Sequence, residues 1–262
     1  MESCGRHGAR YILRMIFDSL QFLAQYQTQP QGGGIGIGYW LIMGVSMVVS
    51  MAISGMLKKR FNEYSQIPIR MTGAQVAEAM LRQNGINDVQ VISTPGHLTD
   101  HYDPLRKTVN LSEPVYHMNS VAAAAVAAHE CGHAVQHQQA YAWLTFRSKM
   151  VPAVQFASNI QQWLMMAAMV GAGIFHSVTM LWVWVAVFGV TTLFAVVTLP
   201  VEFDASKRAM VWLERSGVAN QMEHERAKNA LFWAAMTYVA GAVGAIAQLL
   251  YWVSMLMGRR SE

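Results

Sequence analysis

Apolar residues along this chain collect in three charge-free blocks, from Gln31 to Leu57, from Met150 to Val201 and from Asn229 to Gly258. Every charged residue lies between or outside them. A helix needs roughly 20 apolar residues to cross the hydrocarbon core, so the outer blocks are one span each and the middle block has room for two. The middle block breaks best at GAGIFHSVT, where Gly173, His176 and Ser177 give a short polar turn between Val151–Ile174 and Thr179–Leu199. Trp182 and Trp184 suit an interface beside that turn.

The polar stretches between blocks have their own periodicities. TGAQVAEAMLRQNG reads as an amphipathic helix with a Thr72 cap and a stop at Gly85. VQVIST and KTVNLS read as strands separated by the polar loop PGHLTDHYDP, and a second helix, capped by Asn119 or Ser120, runs to about Gln139. This is a small α+β unit. In the N-terminal tail, Ile12, Ile16, Leu20 and Leu23 recur at helical spacing, as in an interfacial anchor, before QPQGGGIGIG breaks the pattern.

Composition supports the membrane reading: of 262 residues, 53% are hydrophobic and 13% charged. Charge then suggests an orientation. Lys58, Lys59, Arg60, Arg70, Arg147, Lys149, Lys207, Arg208, Arg215, Arg226 and Lys228 fall on one side of a four-span arrangement, against Arg6, Arg10, Arg14, Arg259 and Arg260 on the other. The positive-rich side is normally cytoplasmic, so 58–149 and 202–228 are expected to face the cytosol. The net charge of +4 fits contact with anionic lipid and implies no nucleic-acid partner. Cys4 and Cys131 are too few for a disulfide framework, and the tail lacks the apolar core and cleavage site of a signal peptide.

The chemistry lies in VAAHECGHAVQH. Residues four apart share a helix face, so His129 and His133 can aim imidazoles at one ion, with Glu130 beside the first of them. This is HExxH, two zinc-binding histidines and a general-base glutamate. Glu202, at the cytosolic end of the third span, is the expected third ligand, because a lone carboxylate at a membrane boundary is costly unless ligated or paired. Asp204 points about 200° away on a helix, as Cys131 does from His129. His137 continues the histidine stripe and is the runner-up ligand, or a helix-end histidine. Asp100, His101 and Tyr102 are candidates to orient a ligand or stabilise an oxyanion, and equally are turn formers.

Three segments, GHLTDHYDP, LSEPVYHMNSVAAAAVAAHECGHAVQH and LPVEFDASKRA, together with YSQIPIRMTGAQVAEAMLRQNG, resemble the neutral zinc metallopeptidases of bacterial membranes, the YugP-like family, over about residues 36–257. The resemblance implies a membrane-embedded zincin with Zn²⁺ held by His129 and His133 and with Glu130 as base. The more distantly similar HtpX-like peptidases take a third ligand from a Glu-x-x-x-Asp pattern. Here the fourth residue after Glu202 is Ser206, which becomes a candidate neighbour of the ligands.

The expected organisation is a tail at 1–34, a span at 35–57, a zincin-like α+β domain at 58–150, a transmembrane hairpin at 151–200, a cytosolic helical segment at 201–229, a fourth span at 230–257 and a short tail at 258–262. The expected activity is peptide hydrolysis at the cytosolic surface of a bacterial inner membrane, on peptides or membrane-protein segments: zinc lowers the pKa of a bound water and Glu130 takes its proton. KTVNLS is expected to hold extended substrate by edge pairing. The alternatives are a membrane adaptor or chaperone-like protein with a structural zinc and an intramembrane protease. The apolar run before His129 is too short for the latter, and the spans carry no Asp, Glu, Lys or Arg to mark a transport path. Oligomeric state is open, with GAVGAIA offering small residues for helix contact.

Overall fold

The computed structural model describes residues 36–169 and 177–258. The N-terminal tail with its amphipathic stretch, the turn at Gly173 and His176, and residues 259–262 lie outside the described residues. The chain is mostly helical with one small sheet. In order it runs α1 (Ile37–Ser65), α2 (Gly73–Gln83), β1 (Gln90–Thr94), β2 (His101–Asp103), β3 (Thr108–Ser112), α3 (Glu113–His117), α4 (Val121–Gln138), α5 (Ala142–Met169), α6 (Val178–Ser216) and α7 (Gln221–Gly258).

Two compact units result, one from 49–152 with 194–241 and one from the described residues of 1–48, 153–193 and 242–262. The first holds the sheet. The Thr72 hydroxyl accepts from the Gln75 amide and the Gln75 side chain accepts from the Thr72 amide, a reciprocal cap that starts α2. Gly85, at φ 72°, ends it. Strand order is β1-β3-β2, with β1 parallel and β2 antiparallel to β3.

Two sequence expectations change here. The loop expected between two strands contains a third, β2, too short for an alternation pattern to reveal. Within KTVNLS, Thr108–Ser112 forms the central strand, paired on both sides and buried throughout, so it has no free edge for a substrate.

Core packing in this unit explains the alanines of α4. Ala122, Ala123, Ala125, Ala127 and Ala128 are fully buried beside Val76, Ala77 and Met80 of α2 and Val109 and Leu111 of β3. Small side chains let helices and sheet approach closely. Contact is tightest at two glycines. A Cβ on Gly73 would sit 2.1 Å from the Val115 carbonyl oxygen, and one on Gly132 would sit 2.6 Å from that of Ala205, so α4 meets α6 backbone to backbone.

The second unit is built on aromatics. Tyr39, Trp184, Phe188 and Trp252 are buried together, with Trp252 5.2 Å from Tyr39 and 5.3 Å from Trp184 by ring centroids. Trp184, expected at an interface, is therefore core, while Trp182 is 46% exposed. Within GAVGAIA, Gly244 packs against Ser46 of α1, a contact inside one chain.

Among the described residues α1, α6 and α7 are long and apolar enough to cross a membrane. The expected second span falls on α5, which is not one of these three: Ser158, Asn159, Gln161 and Gln162 interrupt its apolar run. Gly73→Ala is expected to destabilise the protein by about 1–3 kcal/mol through overpacking, whereas Gly55→Ala, whose added Cβ meets nothing within 4 Å, leaves stability unchanged; melting in detergent compares the two.

Candidate metal centre

Helix α4 starts at Ser120, whose hydroxyl accepts from the Ala123 amide at 3.2 Å. Its register sends the alanines into the core and presents His129 and His133, partly buried, to α6. Their rings stand edge to face with centroids 4.9 Å apart. Because Gly132 lets Ala205 come so close, Glu202 of α6 reaches both: its Oε2 lies 3.3 Å from His129 Nε2 and 3.6 Å from His133 Nε2. Donor atoms of the three residues all lie within 4.8 Å of one another.

Tetrahedral zinc with bonds of about 2.0–2.1 Å separates neighbouring donors by roughly 3.3 Å. The two carboxylate-to-imidazole distances match that edge, and two nitrogens with one oxygen are donors of the kind zinc takes. The residues fit the ion. Glu202 is only 3% exposed. Burial pushes its carboxyl up, but hydrogen bonds with His129 and His133 outweigh this and hold it below the usual carboxylate range. Burial pushes the His133 imidazole down, and Glu202, then Glu130, pull it above its ordinary value.

The far ring nitrogens are also engaged. His129 Nδ1 lies 3.1 Å from Ser206 Oγ, and His133 Nδ1 lies 3.0 Å from Gln136 Oε1. Glu130 is partly buried, and its carboxylate makes no hydrogen bond or ion pair among the described residues while its charge acts on His133.

The other candidates lie elsewhere. Asp100 accepts from the amide and hydroxyl of Ser112, tying the start of β2 to the end of β3. His101 bonds the Thr99 carbonyl through Nδ1, at 2.8 Å. Tyr102 meets His137 instead, hydroxyl to Nδ1 at 2.9 Å, which fastens β2 to the end of α4 and leaves His137 outside the three-donor group. Asp204 faces Gln136 and Arg208 rather than the histidines. Sequence reasoning missed Arg147, whose Nη1 lies 3.5 Å from Glu202 Oε1, and Gln136, fully buried. The signals were available: Arg147 sits just before the middle charge-free block, and Gln136 follows His133 by three residues.

A protein-family model described as "Putative neutral zinc metallopeptidase" matches residues 39–257. The chain belongs to that family. A Bacillus subtilis (strain 168) protein described as "Putative membrane protease YugP" is 39% identical over 208 residues, covering 79% of this chain and 91% of that protein. No solved structure matches. Within this family member, Cys131 between the two histidines is not a ligand candidate: its thiol is buried, bonds the Ala77 carbonyl at 3.5 Å, and is pushed well up by burial and then by the Glu130 charge. In a Cys4→Ser background, Cys131 is expected to resist iodoacetamide in the folded protein and react fully after denaturation, read by mass spectrometry.

Proposed function

We propose that this chain is a zinc-dependent endopeptidase of the bacterial inner membrane, with His129, His133 and Glu202 as metal ligands and Glu130 as general base. The observation that carries the reading is the meeting of those three donors, from helices far apart in sequence, with the Glu130 carboxylate near enough for its charge to act on His133. Zinc, when bound there, supplies a Lewis acid that polarises the scissile carbonyl and makes a water acidic enough to react near neutral pH.

The residues divide the remaining work. Glu130 accepts the proton of the attacking water and returns it to the leaving amine, so its carboxylate must be free of other partners. Ser206 fixes the His129 ring by its hydrogen bond at Nδ1, leaving Nε2 for the metal. Arg147 holds the outer oxygen of Glu202 and offsets its charge. Three protein donors suit a catalytic site, which keeps a position for water, better than a closed structural site.

Substrate binds as an extended strand. With β3 taken on both sides, the free edge nearest the histidine helix belongs to β2, which Tyr102 ties to His137. Backbone pairing along β2 would hold peptides or membrane-protein segments with little demand on side chains. Four crossings, with α5 as the second, put 58–149 and 202–228 in the cytosol by the positive-inside rule. The exposed Phe156 and Trp163 on α5 favour its burial in lipid.

Glu130→Gln is expected to retain one zinc and lose peptide hydrolysis by at least 100-fold, while Glu202→Ala loses both. Metal analysis and fluorogenic peptide cleavage on protein purified in detergent read the two together. Undiminished turnover in Glu130→Gln would rule out the base, and full zinc content in Glu202→Ala would rule out the third ligand.

A further inference from the structure

Gln136 is 0% exposed and sits three residues beyond His133 on α4, at the seam with α6. Its amide nitrogen donates to the Val201 carbonyl and to Asp204 Oδ2, both at 2.8 Å. Its oxygen lies 3.0 Å from His133 Nδ1. An amide nitrogen has two hydrogens, and both are used. Turning the amide over would set its oxygen against a carbonyl and a carboxylate, so the orientation is dictated by the partners rather than chosen. The oxygen facing His133 can only accept, so His133 Nδ1 must carry a hydrogen. In the neutral ring, the lone pair then lies on Nε2, the atom facing Glu202.

Asp204 is held in turn. Arg208 donates to the same Oδ2 from one turn along α6, and its Nη1 donates to Gln139 Oε1 at 2.6 Å. The chain of contacts Arg208, Asp204, Gln136, His133 thus crosses the α4–α6 seam, with each polar group committed to the next. This use of Asp204 differs from ligation, and the acceptor for His133 is a glutamine on its own helix.

We propose that Gln136, oriented by Asp204 and the Val201 carbonyl, is the positioning residue that fixes His133 as an Nε2 metal ligand. The proposal rests on the metal reading above, since it assigns the tautomer of one of its ligands. Ligand-orienting partners of this kind are worth roughly 10- to 100-fold in metal affinity.

The test uses the full chain in detergent with zinc alone as probe. Gln136→Met, close in volume but with no N–H to donate and only a weakly accepting sulfur, is expected to weaken zinc binding about 10- to 100-fold by chelator competition. Asp204→Asn, whose carbonyl still accepts from Gln136, is expected to change it less than threefold, below the range such partners contribute. Unchanged affinity in Gln136→Met would overturn the proposal. A second measurement needs no variant to fold: two-bond proton–nitrogen spectra of metal-free ¹⁵N-histidine protein, at a pH where the rings are neutral, with His133→Asn used only to assign the signal. A hydrogen on Nδ1 is the expected result, and one on Nε2 would overturn the proposal. If wild type bound no zinc, the metal reading would fall, while the tautomer would still decide whether Gln136 orients the ring.

Discussion

A carboxylate that is only 3% exposed cannot stand alone, and Glu202 decides what the structure around it must be. Removing one partner of such a buried charge typically costs about 3–5 kcal/mol, so its neighbours are fixed by necessity. Two imidazoles and one guanidinium from α4 and α5 meet it, and the Tyr238 hydroxyl of α7 hydrogen-bonds to it. For α4 to bring its histidines that close, its backbone must touch that of α6, which requires a glycine at 132 facing Ala205. The alanines of α4 are buried all round that helix, and their small side chains allow the same close approach toward α2 and β3.

This arrangement separates holding the site from operating it. Ser206 and Gln136 occupy the far nitrogens of the two histidines, and Asp204 and Arg208 stand behind Gln136. Glu130, by contrast, has no hydrogen-bond partner among the described residues. On the proposed reading, a group that must accept and release a proton gains from such freedom, whereas a ligand gains from rigidity.

Much of the site was legible in the sequence because its parts are short-range or carry an energetic penalty. His129, Glu130 and His133 are related by helix spacing alone, and Glu202 stands out because charge at a membrane boundary needs an explanation. What could not be read was which polar groups meet across the α4–α6 seam. Helix geometry turns Asp204 away from the Glu202 face, but nothing local says that it turns toward Gln136. Likewise β2 has three residues, too few for a period, and its discovery moves the free sheet edge away from KTVNLS. Charge-free blocks located the apolar stretches but not the helix ends. The helices α1, α5, α6 and α7 run past them, because the backbone ladder continues wherever nothing breaks it, in lipid or in water.

Zinc K-edge absorption on the purified wild-type protein in detergent reads the donor set of the His129, His133 and Glu202 site directly. One zinc per chain is expected, in a shell of nitrogen and oxygen alone at about 2.0–2.2 Å, with imidazole scattering from two rings. A sulfur shell near 2.3 Å, or a protein that holds no zinc, would contradict it.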